Sequence, residues 1–182
     1  TILDKNLHGP YVFYFKNGQV EDTMYFDQGV LSGEELQFDK DGNLLCMEVY
    51  NKDTLISRHD YFYKKGRLVE EQYVEINKAS RQIPEYKMIK SKSRSVSYSP
   101  EKTMEALPSS GYLVQYHKNG KVKAKEPRIN SKGNGKCYTY FKDGGKASEY
   151  FLKDGLKHGE EIIYKKDGSV KKTIQWALGK KA

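Results

Sequence analysis

Few groups in this chain could do chemistry: four histidines, two cysteines, and acidic residues that recur at fixed places. His8, His59, His117 and His158 could ligate a metal or act as general bases. Cys46 and Cys137 could be nucleophiles, thiolate ligands or disulfide partners. Asp41, Asp143 and Asp167 each precede a glycine, and Glu34-Glu35 and Glu160-Glu161 are adjacent acids, the residue types of a carboxylate catalyst or a calcium site. No Gly-x-x-x-x-Gly-Lys-Ser/Thr phosphate loop, His-Glu-x-x-His or Gly-x-Ser-x-Gly accompanies them, and no Gly-x-Gly-x-x-Gly opens a helix. Whether any of these groups converge depends on the elements that carry them.

Those elements are set by a repeat. Gly18, Gly42 and Gly66 lie 24 residues apart, and Gly120, Gly144 and Gly168 repeat that spacing. Asn17, Asp41, Lys65, Asn119, Asp143 and Asp167 precede them. Asn-Gly and Asp-Gly between short alternating runs predict two-residue hairpin turns with φ > 0 at both central residues. A second column, Gly9, Gly33, Ser57, Gly111, Gly135 and Gly159, sits nine residues earlier. Five residues after it comes an aromatic: Tyr14, Phe38, Phe62, Tyr116, Tyr140 and Tyr164. Two residues past the turn glycine comes an aliphatic (Val20, Leu44, Leu68, Val122, Val170), with Lys146 the exception. Each unit therefore reads as strand, tight turn, strand, then a looser turn at residues such as Gly29, Gly155 and Gly179. The period of two is that of strands, and a fixed period in this range means a repeat array. The aromatic column is expected to be structural, each unit supplying its share of core.

The fold class that follows is all-β: an elongated single-layer antiparallel sheet of successive β-hairpin repeats. Residues 1–182 form one domain, with regular units over about 8–80 and 110–181. Gly66 and Gly120 are 54 residues apart, two periods plus six, so an irregular unit is expected over about 81–110. That makes about seven units and about fourteen strands. Tyr86 falls on the aromatic column, and Pro84, Pro100 and Pro108 mark interrupted pairing. A linker between two three-unit blocks is the alternative.

In such an array the candidate chemical groups stay apart. Cys46 and Cys137, four units apart, would be about 38 Å from each other, far beyond the ~7 Å that a disulfide allows between Cα atoms. Two free thiols are expected, with no zinc framework. His8 and His158 share a column but would be about 58 Å apart. The aspartates before the turn glycines are explained by turn chemistry. Glu34-Glu35 and Glu160-Glu161 are expected as exposed strand residues facing lysines. Catalytic acids need a cleft that raises one pKa, which a single layer does not offer. No catalytic residue, metal ligand or cofactor is assigned, and an enzyme is the least favoured class.

The chain has 182 residues and a net charge of +8, with 15 Tyr against one Trp. Tyrosine suits a thin sheet, because the ring can be buried while the hydroxyl stays wet. No apolar run approaches the ~18 residues of a membrane-spanning helix. The chain opens on Thr1, not Met, so the lack of a visible secretory signal decides nothing about compartment. The densest basic cluster is Lys87, Lys90, Lys92 and Arg94, interleaved with serines and flanked by Tyr86 and Tyr98. Such a loop could grip phosphates of nucleic acid or an acidic lipid surface.

With these columns in view, the chain resembles the bacterial variant of the MORN repeat, the type found in YwqK-like proteins assigned as antitoxin components. The matching segments are Gly9-Pro10-Tyr11-Val12-Phe13-Tyr14-Phe15-Lys16-Asn17-Gly18, Gly111–Gly120 and Gly159–Gly168, with Lys153-Asp154-Gly155-Leu156-Lys157-His158-Gly159-Glu160 as the link between units. The resemblance implies an elongated hairpin array used as an interaction surface, with a toxin-like or scaffold protein as the partner. It brings no catalytic residues. Choline-binding hairpin arrays need Trp-rich cages, which one Trp cannot supply. The leading reading is a non-enzymatic protein-interaction module. The second is binding of an anionic polymer or membrane surface through a basic face. Unpaired terminal strands also make an edge-to-edge homodimer an expectation.

Overall fold

The computed structural model describes residues 7–76 and 109–182. They form one open antiparallel sheet of 15 strands. The first block holds β1 (Gly9–Tyr14), β2 (Val20–Asp27), β3 (Val30–Leu31), β4 (Gly33–Phe38), β5 (Leu44–Asn51), β6 (Thr54–Lys64) and β7 (Arg67–Ile76). The second holds β8 (Ser109–Tyr116), β9 (Val122–Ile129), β10 (Lys132–Gly133), β11 (Gly135–Tyr140), β12 (Lys146–Lys153), β13 (Leu156–Tyr164), β14 (Val170–Ala177) and β15 (Lys180–Lys181). Strands follow one another across the sheet in chain order, with the two-residue β3 and β10 pairing back onto β2 and β9. At ~4.8 Å per strand the ladder runs on the order of 60 Å.

The two kinds of turn are the reverse of the sequence expectation. After β1, Gly18 N–H donates to Phe15 O at 2.9 Å and Phe15 N–H to Gln19 O at 2.8 Å. Gly18 has φ 85°, and Asn17 is not among the positive-φ residues. This is a three-residue loop, a type I turn closed by a left-handed glycine. The same bonds recur at Gly42, Gly120, Gly144 and Gly168. Asn and Asp are selected here because the side chain accepts a backbone N–H two residues on, as from Gln19 to Asn17 and from Ser169 to Asp167. The true two-residue turns join successive units: Gln28-Gly29, Lys52-Asp53, Asn130-Ser131, Asp154-Gly155 and Leu178-Gly179 have positive φ at both positions. Among the repeat turns, only Lys65-Gly66 is of this short kind.

That shorter turn shifts the third hairpin by one residue. Elsewhere the aromatic and aliphatic columns face each other beside a bulge, as in Tyr14 opposite Val20 and Tyr116 opposite Val122. In the third hairpin it is Tyr63 that faces Leu68, and Phe62 is 46% exposed. Lys146 keeps its column by other means. It lies opposite Tyr140, ion-pairs with Glu149 at 2.9 Å, and sits 5.4 Å and 5.5 Å from the Tyr138 and Tyr164 ring centroids.

The irregular unit expected over 81–110 lies almost wholly outside the described residues. What the sheet shows is that β7 and β8 are direct neighbours, paired without a bulge from Glu70 opposite Gln115 to Ile76 opposite Ser109. No strand stands between the third and fourth hairpins, so the chain leaves at Ile76 and returns at the position facing it. Gly111 is needed at this junction for space, since a Cβ there would lie 1.9 Å from the Tyr73 carbonyl oxygen. Tyr73 stacks on Tyr112 across the junction at 5.3 Å, and Tyr116 Oη donates to Glu71 at 2.8 Å.

Candidate interaction surface

Cross-strand partners share a face, so the register assigns side chains to faces. One face carries most of the buried residues: Met24, Glu35, Cys46, Glu48, Tyr50, Cys137, Leu152 and Glu161. Glu34 and Glu160 are exposed as expected, but Glu35 and Glu161 are only 5% and 6% exposed. The correction follows from period two: of two adjacent strand residues, one must face the core side.

In the first block these acids form a row. Asp22 lies opposite Gln37, Glu35 opposite Glu48, and Glu48 opposite Arg58. Arg58 Nη1 donates to Glu48 at 2.7 Å and Nη2 to Asp60 at 2.7 Å. Tyr50 Oη donates to Glu48 at 2.8 Å, and Gln37 Nε2 to Glu35 at 3.0 Å. Burial, and then the charge of Glu35, push the Asp22 carboxyl up to about 7. Burial also raises Glu35, despite the Gln37 hydrogen bond that opposes it. The Asp22 Oδ1 atom is buried and has no hydrogen-bond partner. Among the described residues no three His, Cys, Asp or Glu side chains converge in a group that could hold a metal.

In the second block the same face mixes charge with aromatic rings. Trp176 Nε1 donates to Glu161 at 2.8 Å, and the Lys157 ammonium ion-pairs with Glu161. That ammonium lies 4.6 Å from the Tyr150 centroid and 5.0 Å from the Trp176 centroid. Lys165, Lys166 and Lys171 rim an open groove on whose wall Ser148, Glu161 and Ile163 lie.

Cys46 on β5 and Cys137 on β11 are both free and buried. With β7 paired directly to β8, five strand steps separate them, about 24 Å instead of the expected 38 Å. Burial pushes both thiols up to about 12. His59 packs on Tyr61 with centroids 4.3 Å apart, and its Nε2 lies 3.6 Å from Glu71. It therefore belongs to the aromatic cluster at the β7–β8 junction. Tyr86, Lys87, Lys90, Lys92, Arg94 and Tyr98, the candidate binding cluster, lie outside the described residues.

Two charge features were missed in the sequence. Once the junction divides the array, residues 7–76 carry 7 Lys and Arg against 13 Asp and Glu, while residues 109–182 carry 17 against 7. The first block is an acidic pole and the second a basic one. The overall +8 hides this because a single total cancels them. The second feature is a lysine column at the hairpin turns: Lys16, Lys40, Lys118, Lys142 and Lys166 in the three-residue turns and Lys64 at the end of β6 beside the short one, all exposed. Within each block these lysines recur every two strands, about 10 Å along one rim. Side chains tie neighbouring turns together, as where Asn119 Nδ2 donates to Lys142 O at 2.7 Å and Lys121 Nζ to Asp143 O at 2.7 Å.

Residues 7–28, spanning β1, its turn and β2, match the family model described as the MORN repeat variant. No curated protein matches the chain.

Proposed function

We propose that this chain is a non-enzymatic protein-interaction module whose basic block, residues 109–182, docks an acidic surface of a partner protein. An antitoxin-type or scaffold role is the biological form this reading takes. The observation that carries it is the separation of charge: 17 cationic side chains against 7 acidic ones in the basic block. MORN-type arrays serve as repeat modules for interaction, and a solenoid presents an extended surface. Opposed potentials steer a partner and fix its orientation.

The test is an affinity capture from native cell extract, washed at low and at high salt, with mass spectrometry and nucleic-acid staining. The expected result is one acidic protein kept by the native chain and lost when Lys118, Lys142 and Lys166 are changed to Glu. Reversing Lys16 and Lys40 in the acidic block should not release it. Capture that ignores all five lysines would overturn the reading. A second reading, binding of an anionic polymer or acidic lipid surface, is favoured by the regular turn-lysine column. It predicts retained nucleic acid or lipid that leaves steeply with salt.

A further inference from the structure

A repeat sets the same backbone position in both blocks, so one place in the hairpin can be compared with two sets of side chains. The open groove of the basic block lies beside the turns after β11 and β13 and has a volume of about 610 Å³. Strands β11, β12 and β13 are each paired on both sides, so the groove belongs to the interior of the sheet and not to an edge. Ser148 lies opposite Thr139 on one strand and opposite Ile163 on the other. The Thr139 and Ser148 hydroxyl oxygens are 2.6 Å apart. One hydroxyl donates to the other, which leaves the second proton for a ligand. Phe141 and Ala147 add apolar surface, and Lys165, Lys166 and Lys171 stand exposed at the rim. Glu161 also lines the groove, but Trp176 Nε1 and the Lys157 ammonium already engage it. The rim lysines are therefore not neutralised from within.

The first block gives this place the opposite character. Counted from the turn glycines, Phe13, Glu21, Asp22, Gln37, Asp39 and Leu45 hold the positions of Thr139, Ala147, Ser148, Ile163, Lys165 and Lys171. Asp22 lies opposite Phe13 and Gln37, as Ser148 lies opposite Thr139 and Ile163. Three carboxylates thus stand where the basic block has a methyl, a hydroxyl and an ammonium group. The pairing is the same in both blocks, so hairpin geometry does not account for a groove that is basic at its rim and apolar within. The residue types of this one place do.

We propose that the groove anchors the acidic partner by taking an extended, carboxylate-rich segment of that protein. One aliphatic side chain of the segment sits on Ile163 and Ala147, and the carboxylates beside it meet Lys165, Lys166 and Lys171. The charge of the rim selects the sign of the segment. The apolar surface selects against a bare polyanion, which has nothing to bury there. The inference rests on the acidic-partner reading above and adds to it the place of docking and the apolar anchor.

The test is fluorescence anisotropy with two labelled, end-blocked peptides of equal charge: oligoglutamate, and the same peptide with a leucine inserted at its centre. The native chain should bind the leucine-bearing peptide at least about tenfold more tightly, the gain from burying one aliphatic side chain. Ile163→Gln and Ser148→Asp, which bring in the residues of the first block, should each erase that preference. Lys171→Glu should weaken both peptides about tenfold, whereas Lys16→Glu in the acidic block should change neither. Circular dichroism and urea midpoints separate lost binding from lost fold, and the exposed Lys171→Glu keeps the test decisive if a variant within the groove folds poorly. Equal binding of the two peptides by the native chain overturns the proposal. So does binding of neither, or a preference that survives both Ile163→Gln and Ser148→Asp. The affinity capture above decides the acidic-partner reading independently, so the two failures stay distinct.

Discussion

The two blocks share a repeat but solve its core differently. In the acidic block, Glu48 and Asp60 share a single guanidinium, and Asp22 on the same face is left with an unpartnered oxygen. In the basic block, Glu161 has both an indole donor and an ammonium, and lysines rest on aromatic rings. The same backbone thus holds a tense, pH-sensitive face at one end and a satisfied one at the other. A repeat template fixes where side chains point, and the residue types then decide how stable each unit is.

The sharpest way to break this comparison is Arg58→Ala. Removing the one cation leaves Glu48 and Asp60 unpaired in a partly buried site and should cost about 3 kcal/mol. Arg128→Ala, which frees only Glu126, should cost about 1 kcal/mol. Urea denaturation of both variants checks the pair, and equal losses would mean that the blocks do not differ.

Next comes pH. Asp22 ionises in the folded state only near pH 7, against 3.8 as its ordinary value. A raised acid pKa means that its protonated form favours the fold. That stability is present below about pH 4 and is lost as pH rises through about 7. Asp22→Asn should therefore raise the melting point at pH 8 and change it little at pH 4. Allowing for partial solvent screening of this half-exposed group, the gain is about 1–2 kcal/mol, or about 2–8 °C. Surface carboxylates held low by hydrogen bonds, such as Asp39 and Asp167, act in the opposite sense below pH 4. Only the difference between native and variant chains across the pH range isolates Asp22.

The cysteines report local opening, one in each block. Both thiols are buried and protonated, so a thiol reagent reaches them only through fluctuations of the fold. Cys46, beside the strained acid row, should react about tenfold faster than Cys137 at pH 8, as read by mass spectrometry of timed labelling, a difference of about 1.4 kcal/mol in opening free energy. The smallest expected effect concerns the ties between turns. Asn119→Ala removes a 2.7 Å bond to the next turn and should cost about 1 kcal/mol. Asn17→Ala removes one of 3.3 Å and should cost less by the same thermal-melt measurement.

The period, and the pairing of successive strands within each block, were open to reading from the sequence. The 24-residue glycine spacing, with aromatic and aliphatic residues at fixed offsets, specifies antiparallel hairpins joined in series. It does so because strand alternation and left-handed turn positions are local properties of a few residues. The free cysteines followed from the same argument, although their separation did not. Turn type was not open in this way. Asn-Gly suits both a two-residue and a three-residue loop, and the choice depends on the register that the partner strand accepts, as Phe62 and Tyr63 illustrate. The candidate surface was half visible. The lysine column stands in the sequence, but the acidic and basic poles have meaning only after β7 is known to pair with β8, since that pairing defines the blocks.

By itself, then, the sequence determined the hairpin unit, because each unit's strands and turns are written within 24 residues of chain. Only the tertiary structure decided which units are neighbours across residues 77–108, which member of each acid pair is buried, and where the two poles lie. Those depend on pairings between strands distant in sequence, and a one-residue change of register moves every side chain of a strand to the other face.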